Sequence, residues 1–542
     1  MARTPLLRAL RRLADEHRAA ERLGIPPAEL RGLREEALSR REFVQRAGLA
    51  GAAVVGGSAA LAATAGAARG AGNPSVAIVG AGIAGLTAAL TLADKGIAST
   101  VYEASPDRIG GRMHSDTSGY WDAGQVSEFC GELIDTGHMT IRHLVQRFGL
   151  PAVDLIAAQP NRSTDTLWFL NGYYSVDDAD SDFQPIHKTL QDQVQATSYP
   201  TTYRIHTDAG IFFDQMTIYD WIETYVPGGH GSRMGRLLDA AYNIEYGAET
   251  TVQSSLNLLY LLGFQPTKTQ LDLFGESDER FHIRGGNQRL PEAIADELGD
   301  AVVTGHKLVR LAQTPNGRYC CTFERGGTTI EVITDLVVLA IPFAVLANVD
   351  IQNAGFSALK LHAINDLGRA HNGKLNLQFE RRGWLGPGPW PGLTTGTTYS
   401  DTGYQASWEV TRAQPGTPGI IVLYSGGNVT DAMRSTSPFA TASDPKVLQD
   451  VRSGLAQLDP VFPNLAWNGL ATESLPHKSP FFGASYSFWK IGQYTDFGGF
   501  EGVPQGGAFF CGEHTSQDFQ GFMEGGASTG KATAEDLIKL FR

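Results

Sequence analysis

The stretch "SVAIVGAGIAGLTAALTLADKG", residues 75–96, constrains the fold more than any other part of the chain. Its first half is a short, continuous apolar run ending in Gly, the pattern of a buried strand; its second half is a Gly-rich turn and a helix closed by Gly96. Gly80, Gly82 and Gly85, with Ala84 between the last two, make G-x-G-x-x-G at the junction. Glycines there permit a tight turn, close backbone approach to a pyrophosphate, and close packing of helix on strand, while the helix N-terminus faces the negative charge. A second strand, "ASTVYEA", ends at Glu103, about twenty residues on, where a carboxylate accepts both ribose hydroxyls and disfavours a 2′-phosphate. Strand, turn, helix and acid together predict a dinucleotide site. Their spacing does not separate NAD from FAD.

The residues that follow do. "DRIGGRMHS" sets Arg108, Gly110, Gly111 and Arg112 directly after the second strand, and guanidinium groups beside a Gly-Gly backbone suit a pyrophosphate. From here the chain resembles the flavin-dependent amine oxidase family, which includes monoamine, polyamine and L-amino acid oxidases. The resemblance runs from about residue 75 to 540. It extends through "VSEFCGELIDTGH", similar to the family's flavin-edge loop with Gly131 and Glu132; "IRGGNQRLPEAIADELG"; "HKLVRL", whose Val309 the resemblance places at the adenine; and "FFCGEHTS…GFMEGGASTG". In this last motif the resemblance makes Gly512 a cofactor-binding residue and implies that Glu513 meets the FAD linker and that Phe522 to Gly525, Met523 among them, lie under the isoalloxazine. Monoamine oxidases attach FAD through a Cys in "SPFFGASYSFWK"; the matching position is Ala484, so non-covalent FAD is expected.

The same resemblance gives the fold: an α/β protein with a discontinuous, glutathione-reductase-like (Rossmann-type) FAD domain and a substrate domain of mixed sheet plus helices. Nucleotide-fold signals recur at the beginning, middle and end of the chain. The expected organisation is an N-terminal extension and export signal (1–68), FAD-binding segments at 74–135, 276–345 and 476–542, and substrate-domain segments at 136–275 (helical) and 346–475 (sheet). Asn171-Gly172, between two aromatic runs, and Gly326-Gly327 read as hairpin turns.

For catalysis, Lys374 in "HNGKLNLQFERRGW" matches the family lysine that holds a water near the flavin. Alternation along its strand also permits a plain solvated lysine, sharing a polar face with Asn376 and Gln378. Phe522 matches one aromatic wall of the substrate slot, and Tyr486 and Trp489 are alternatives for the other. Apolar walls favour the neutral amine, which gives up hydride. L-amino acid oxidases commonly carry an Arg in the flavin-edge loop for the substrate carboxylate. Leu133 stands at that position, with Arg284 and Arg289 as candidates to replace it. Asp135 falls near an acid of polyamine oxidases and either anchors a distal cation or caps the helix that begins near His138. Asp177, Asp178, Asp180 and Asp182 read as a solvated loop. His371 and His514 sit beside flavin motifs without a spacing that marks them as catalytic.

These observations predict oxidation of an amine to an imine, with O2 reduced to H2O2. An L-amino acid substrate is the alternative, and a flavin desaturase or dehydrogenase with another acceptor is a further one. A non-catalytic FAD-binding protein is a rival from outside the enzymes. No metal site is expected: the four cysteines, Cys130, Cys320, Cys321 and Cys511, show no ligand spacing and read as free thiols. Net charge is −13, and residues 1–46 hold eleven Arg, no Lys and seven acids, so the body is more acidic still. Nucleic acid is therefore not an expected partner. Arg40-Arg41 before the uncharged run 47–68 resembles a twin-arginine export signal, cleaved near Ala65–Ala68. The expected partners are a small amine or amino acid, O2, the twin-arginine export machinery and, as one option, a second copy of the chain. The location implied is periplasmic or extracellular.

Overall fold

The computed structural model describes residues 74–197, 199–265 and 269–541; Arg40, Arg41 and the apolar run 47–68 lie outside the described residues. Among the described residues no helix is long and apolar enough to cross a membrane.

The predicted first strand, Val76–Val79, is the middle of a five-stranded sheet in the order 508–510, 336–339, 76–79, 100–102, 302–303, with every pairing parallel. All residues of Val76–Val79 and Leu336–Leu339 are buried, as unbroken apolar runs require when both faces of a parallel sheet are covered. Ile78 stands opposite Val338 on one side and Val101 on the other. An antiparallel meander, Lys307–Gln313, Tyr319–Arg325 and Thr328–Thr334, lies between two of these strands in the chain. Gly326 and Gly327, both with positive φ, close its second hairpin where predicted.

A mixed eight-stranded sheet forms a second layer system, in the order 439–441, 467–474, 372–379, 419–426, 406–409, 394–400, 164–168, 173–174. The strand carrying Lys374, Asn372–Phe379, has antiparallel partners on both sides, and all eight of its residues are buried. Helices Val176–Thr197, Asp208–Asp214, Ile218–Tyr225, Arg233–Tyr246 and Ser255–Leu262 fall in one stretch of chain, and Phe183, Trp221 and Tyr242 are fully buried in the core they share.

Two local expectations are corrected. Asp177, Asp178, Asp180 and Asp182 are helical, in the first two turns of Val176–Thr197. Acids there suit the positive end of the helix dipole. Two are also engaged: Asp180 accepts from the Leu271 N–H (2.7 Å) and Asp182 from the Tyr174 hydroxyl (2.7 Å). The 164–174 hairpin forms, but its turn centres one residue early. Leu170 and Asn171 take positive φ, and the Phe169 N–H donates to the Gly172 carbonyl at 3.0 Å. Burial of Leu167 and Phe169 sets this register, which leaves Leu170 in a left-handed conformation that Gly172 was expected to take.

Candidate active site

The Gly-rich turn is closed at its ends and open in the middle. Gly80 has φ +103°, and a side chain at Gly85 would place Cβ 2.0 Å from the Gly80 carbonyl oxygen. At Gly82 the nearest atom to an added Cβ is Gly111 Cα, at 4.0 Å. The helix behind it, Ile83–Ala93, has neither a side-chain cap nor an acid in its first turn. Its free N–H groups thus face a space in which an anion fits. Glu103 accepts from the N–H groups of Ala81 (2.8 Å) and Ser105 (2.9 Å). Burial raises its pKa against those bonds and the Arg108 charge.

The R-x-G-G-R segment folds onto this turn: the Gly110 N–H donates to Ala81, and Gly111 lies against Gly82. Arg108 donates to the carbonyls of Ile109 (2.9 Å) and Gly111 (2.7 Å), and burial lowers its pKa. Arg112 reaches across the chain to Glu513 and the Ser485 carbonyl, both at 2.9 Å. Glu513 also accepts from the Ser487 hydroxyl and the Gly521 N–H. Burial pushes its pKa up, but Arg112, His514 and these bonds outweigh that and hold it low. The closing helix, Met523–Ile538, rests on the first helix through two glycines. A Cβ at Gly526 would meet Ile83 at 2.9 Å, and one at Gly530 the Ala84 carbonyl oxygen at 2.1 Å. Gly131 is equally tight against Met523 (2.9 Å to Sδ). Gly512 takes φ +146°, and its N–H donates to the Thr529 hydroxyl at 3.0 Å. Val309 is the extra residue in a bulge between Leu308 and Arg310, a device that re-aims a side chain. Apart from Val309, on the meander, these predicted cofactor residues thus converge, and the open cradle at Gly82 fits a dinucleotide.

Lys374 is 7% exposed, which excludes the solvated reading. Its Nζ donates to Glu132 Oε2 and the Cys130 carbonyl, both at 2.7 Å, and lies 5.6 Å from the Trp408 ring. Trp408 donates to the other oxygen of Glu132 at 2.9 Å. Burial alone would raise the Glu132 pKa; the Lys374 charge and the two donors reverse it, so Glu132 is ionised. The predicted polar face exists, but it is internal: Asn376 donates to Thr472 and Gln378 to Gln125.

Of the two candidate wall residues, Trp489 shares a cavity with Phe522, and Tyr486 lies against the preceding Gly521. The Tyr486 ring lies over Gly521, and its hydroxyl donates to the Ile244 carbonyl at 2.9 Å. Trp489 donates to Glu501 and packs on Tyr494. With Phe522, Tyr199, Tyr246 and Tyr260 it lines a cavity of about 80 Å³ that also takes Glu245 and the unpartnered amide of Gln520.

Asp135 does not cap the helix Met139–Arg147. The first-turn N–H groups of Thr140 and Ile141 are taken by Glu524, from the closing helix. Asp135 instead accepts from the Glu279 N–H at 2.9 Å and lies 3.4 Å from His138. Burial, with the Asp278 charge, pushes its carboxyl up to about 6. Glu279 has φ +43°, a strained conformation for such a residue. Burial and the charges of Asp135 and Glu245 raise it to about 8. Glu245, on Arg233–Tyr246, also rises to about 8 through burial and Asp135. Neither Glu245 nor Glu279 was singled out in the sequence, where one is an ordinary helix acid and the other part of the polar run "GESDER". Arg284 and Arg289 are exposed, with Arg289 donating to the Arg284 carbonyl. The arginine that acts on Glu279 is Arg412. His514 is buried between Phe343 and Glu513, its pKa lowered by burial to about 4.

Known proteins are similar to this chain in sequence and fold. Residues 83–538 match the model of the flavin containing amine oxidoreductases. Polyamine oxidase 2 of Arabidopsis thaliana is 24% identical over 86% of this chain and 88% of its own. The L-amino-acid oxidase of Pseudechis australis is also 24% identical, over 86% and 87%. Among solved structures, cyclohexylamine oxidase from Brevibacterium oxydans and a putrescine oxidase variant each superpose with a TM-score of 0.71. Both are 18% identical, covering 86% of this chain and 99% of theirs. Because the family match runs from the first helix to the end of the closing helix and covers well over half of the chain, the chain belongs to the flavin containing amine oxidoreductase family and is an FAD-dependent amine oxidoreductase.

Proposed function

We propose that the protein is an oxidase of amines carrying a second, distal positive charge, such as α,ω-diamines and polyamines. The observation that carries this reading is a group of three carboxyls, buried Asp135 and half-buried Glu245 and Glu279, within electrostatic reach of one another, with Glu245 lining an aromatic cavity. Bound FAD would accept hydride from the carbon bearing the amine and pass the electrons to O2, giving imine and H2O2. The chain's own contribution is positional. Phe522 and its aromatic neighbours exclude water and favour the neutral amine at the reacting end. The carboxyls hold the ammonium at the other end, and Lys374, fixed by Glu132, presents a cation to charge developing on oxygen. The five-stranded parallel sheet and its meander are read as the glutathione-reductase-like FAD domain. Ala484 offers no nucleophile, and acid denaturation should release all FAD into the supernatant.

A peroxide assay across diamines, monoamines and L-amino acids tests the substrate. Turnover of diamines at least about tenfold above matched monoamines is expected; turnover of amino acids alone would defeat the reading. Arg412, acting on Glu279, supports L-amino acids as the second reading. Slow reoxidation of reduced enzyme in air would favour a dehydrogenase.

The carboxyls also set a pH dependence. Glu245 and Glu279 ionise near 8 rather than at their ordinary value of 4.5. The stability they contribute to the empty protein is therefore full below about 4.5 and lost as pH rises through about 8. A dication favours their ionised form, so KM for a diamine should fall as pH rises toward 8 more steeply than KM for a monoamine. Glu279→Gln should remove much of that difference and raise the melting temperature at pH 9. An unchanged diamine profile in the variant would refute the assignment.

The export reading rests on Arg40-Arg41 and the uncharged run behind them. A twin-arginine route carries folded proteins, so FAD would be inserted before transport. Replacing Arg40 and Arg41 together by Lys should leave flavin-loaded protein in the cytoplasm; undiminished export would reject the signal.

A further inference from the structure

We propose that His371, Asp431 and His477 form a divalent-cation site of the zinc class, separate from the oxidation chemistry. The residues come from three elements: the loop leading into Asn372–Phe379, the end of the short helix Gly427–Asp431, and the turn Pro476–Lys478. One potential ligand atom from each lies within 4.8 Å of the others. His371 Nδ1 is 2.7 Å and His477 Nε2 3.9 Å from the same Asp431 oxygen. These bracket the edge of roughly 3.4 Å that a tetrahedron with bonds of about 2.1 Å requires. The imidazole rings are stacked, with centroids 4.4 Å apart and planes at 17°.

The His371–Asp431 hydrogen bond explains two of the three residues without a metal. It does not explain His477. That side chain is 8% exposed, its Nδ1 is buried without a partner, and its other nitrogen is aimed at Asp431 beyond hydrogen-bond distance. A buried imidazole in that state lacks the bonds it would have in water, and a cation between the rings and the carboxylate would use its free lone pair. Asp431 and His371 are 49% and 36% exposed on their side chains, which leaves an entry path and a fourth position for water. The neighbouring positive charge, Lys478, is turned away, with Nζ donating to the Met433 and Ser435 carbonyls. Two nitrogens and one carboxylate oxygen favour Zn²⁺, Co²⁺ or Cu²⁺ over Mg²⁺ or Ca²⁺. No second hydrogen bond orients His477, and such outer-shell partners are worth about 10–100-fold in affinity, so the expected affinity is micromolar rather than nanomolar. The His371 backbone is held by Gly247 and Gly427, so an ion here would clamp the start of the Lys374 strand.

The test uses Co²⁺ and the full-length holoenzyme after EDTA treatment. One Co²⁺ per chain is expected, with visible d–d absorption that Zn²⁺ abolishes. His477→Ala and Asp431→Asn should each weaken binding at least about tenfold, with flavin absorbance and amine turnover unchanged. Asp431→Asn keeps the shape of the site should His477→Ala fold poorly. Absence of a saturable band, or Co²⁺ binding that both folded variants retain in full, would overturn the proposal. Neither outcome bears on the amine substrate.

Discussion

Lys374→Met is expected to lower O2-dependent turnover by about 10²-fold or more, the cost typical of removing one preorganised charge donor from an enclosed site. It also strips Glu132 of its cation: the carboxylate keeps only Trp408 and is left charged, or forced to protonate, in a buried position. Breaking one side of a buried pair costs about 3–5 kcal/mol, so the single variant should also melt earlier. The double variant Lys374→Met, Glu132→Gln separates the two effects. It should recover much of the lost stability without recovering activity. Recovery of both would make Lys374 a purely structural partner of Glu132. Stopped-flow measurement of flavin reduction and of reoxidation should place the loss in the oxygen-dependent half.

Gly530→Val should abolish flavin binding while leaving most secondary structure intact. The added Cβ would stand 2.1 Å from the Ala84 carbonyl oxygen. That atom belongs to a helix backbone and cannot rotate away as a flexible side chain does, so the two helices must separate. Overpacking of this kind costs about 1–3 kcal/mol or more, and here the displacement falls on the first turn of the helix behind Gly82. Protein that purifies colourless, with near-normal far-UV circular dichroism, is the expected result. A fully yellow, normally melting variant would show that the helix contact is not what holds the cradle closed. Gly526→Ala, against Ile83 Cγ2 at 2.9 Å, meets a movable side chain and should be milder.

The nucleotide turn was legible because its glycines carry conformational requirements that no other residue meets. Short-range spacing ties them to a strand, a helix and Glu103. Lys374 was legible only as a family match, because strand alternation reads a polar face as solvent-facing. Here that face is internal, since Asn372–Phe379 has partners on both edges and cover on both faces. Glu245 and Glu279 were invisible: they are 34 residues apart in the chain, and what distinguishes them is half-burial within reach of the Asp135 charge and, for Glu279, a backbone angle. The capping role weighed for Asp135 failed for a related reason. The acid that serves those N–H groups, Glu524, arrives from nearly four hundred residues away. Hairpin turns were found, but their register was decided by which aromatic side chains bury, as Leu170 shows.

The order of strands in the parallel sheet sets a timetable for biosynthesis. Leu336–Leu339 lies between Val76–Val79 and Ala508–Phe510, so until residue 510 has left the ribosome this apolar strand has one edge without a neighbour. Glu513, the partner of Arg112, and the helix that packs on Ile83 and Ala84 emerge later still. A nascent chain can therefore display the glycine turn early but cannot shut it around a ligand. Cofactor loading is necessarily among the last events after translation. Yellow colour in a preparation consequently reports that synthesis and folding reached the closing helix, and a colourless fraction holds chains in which that helix has not shut the turn around FAD.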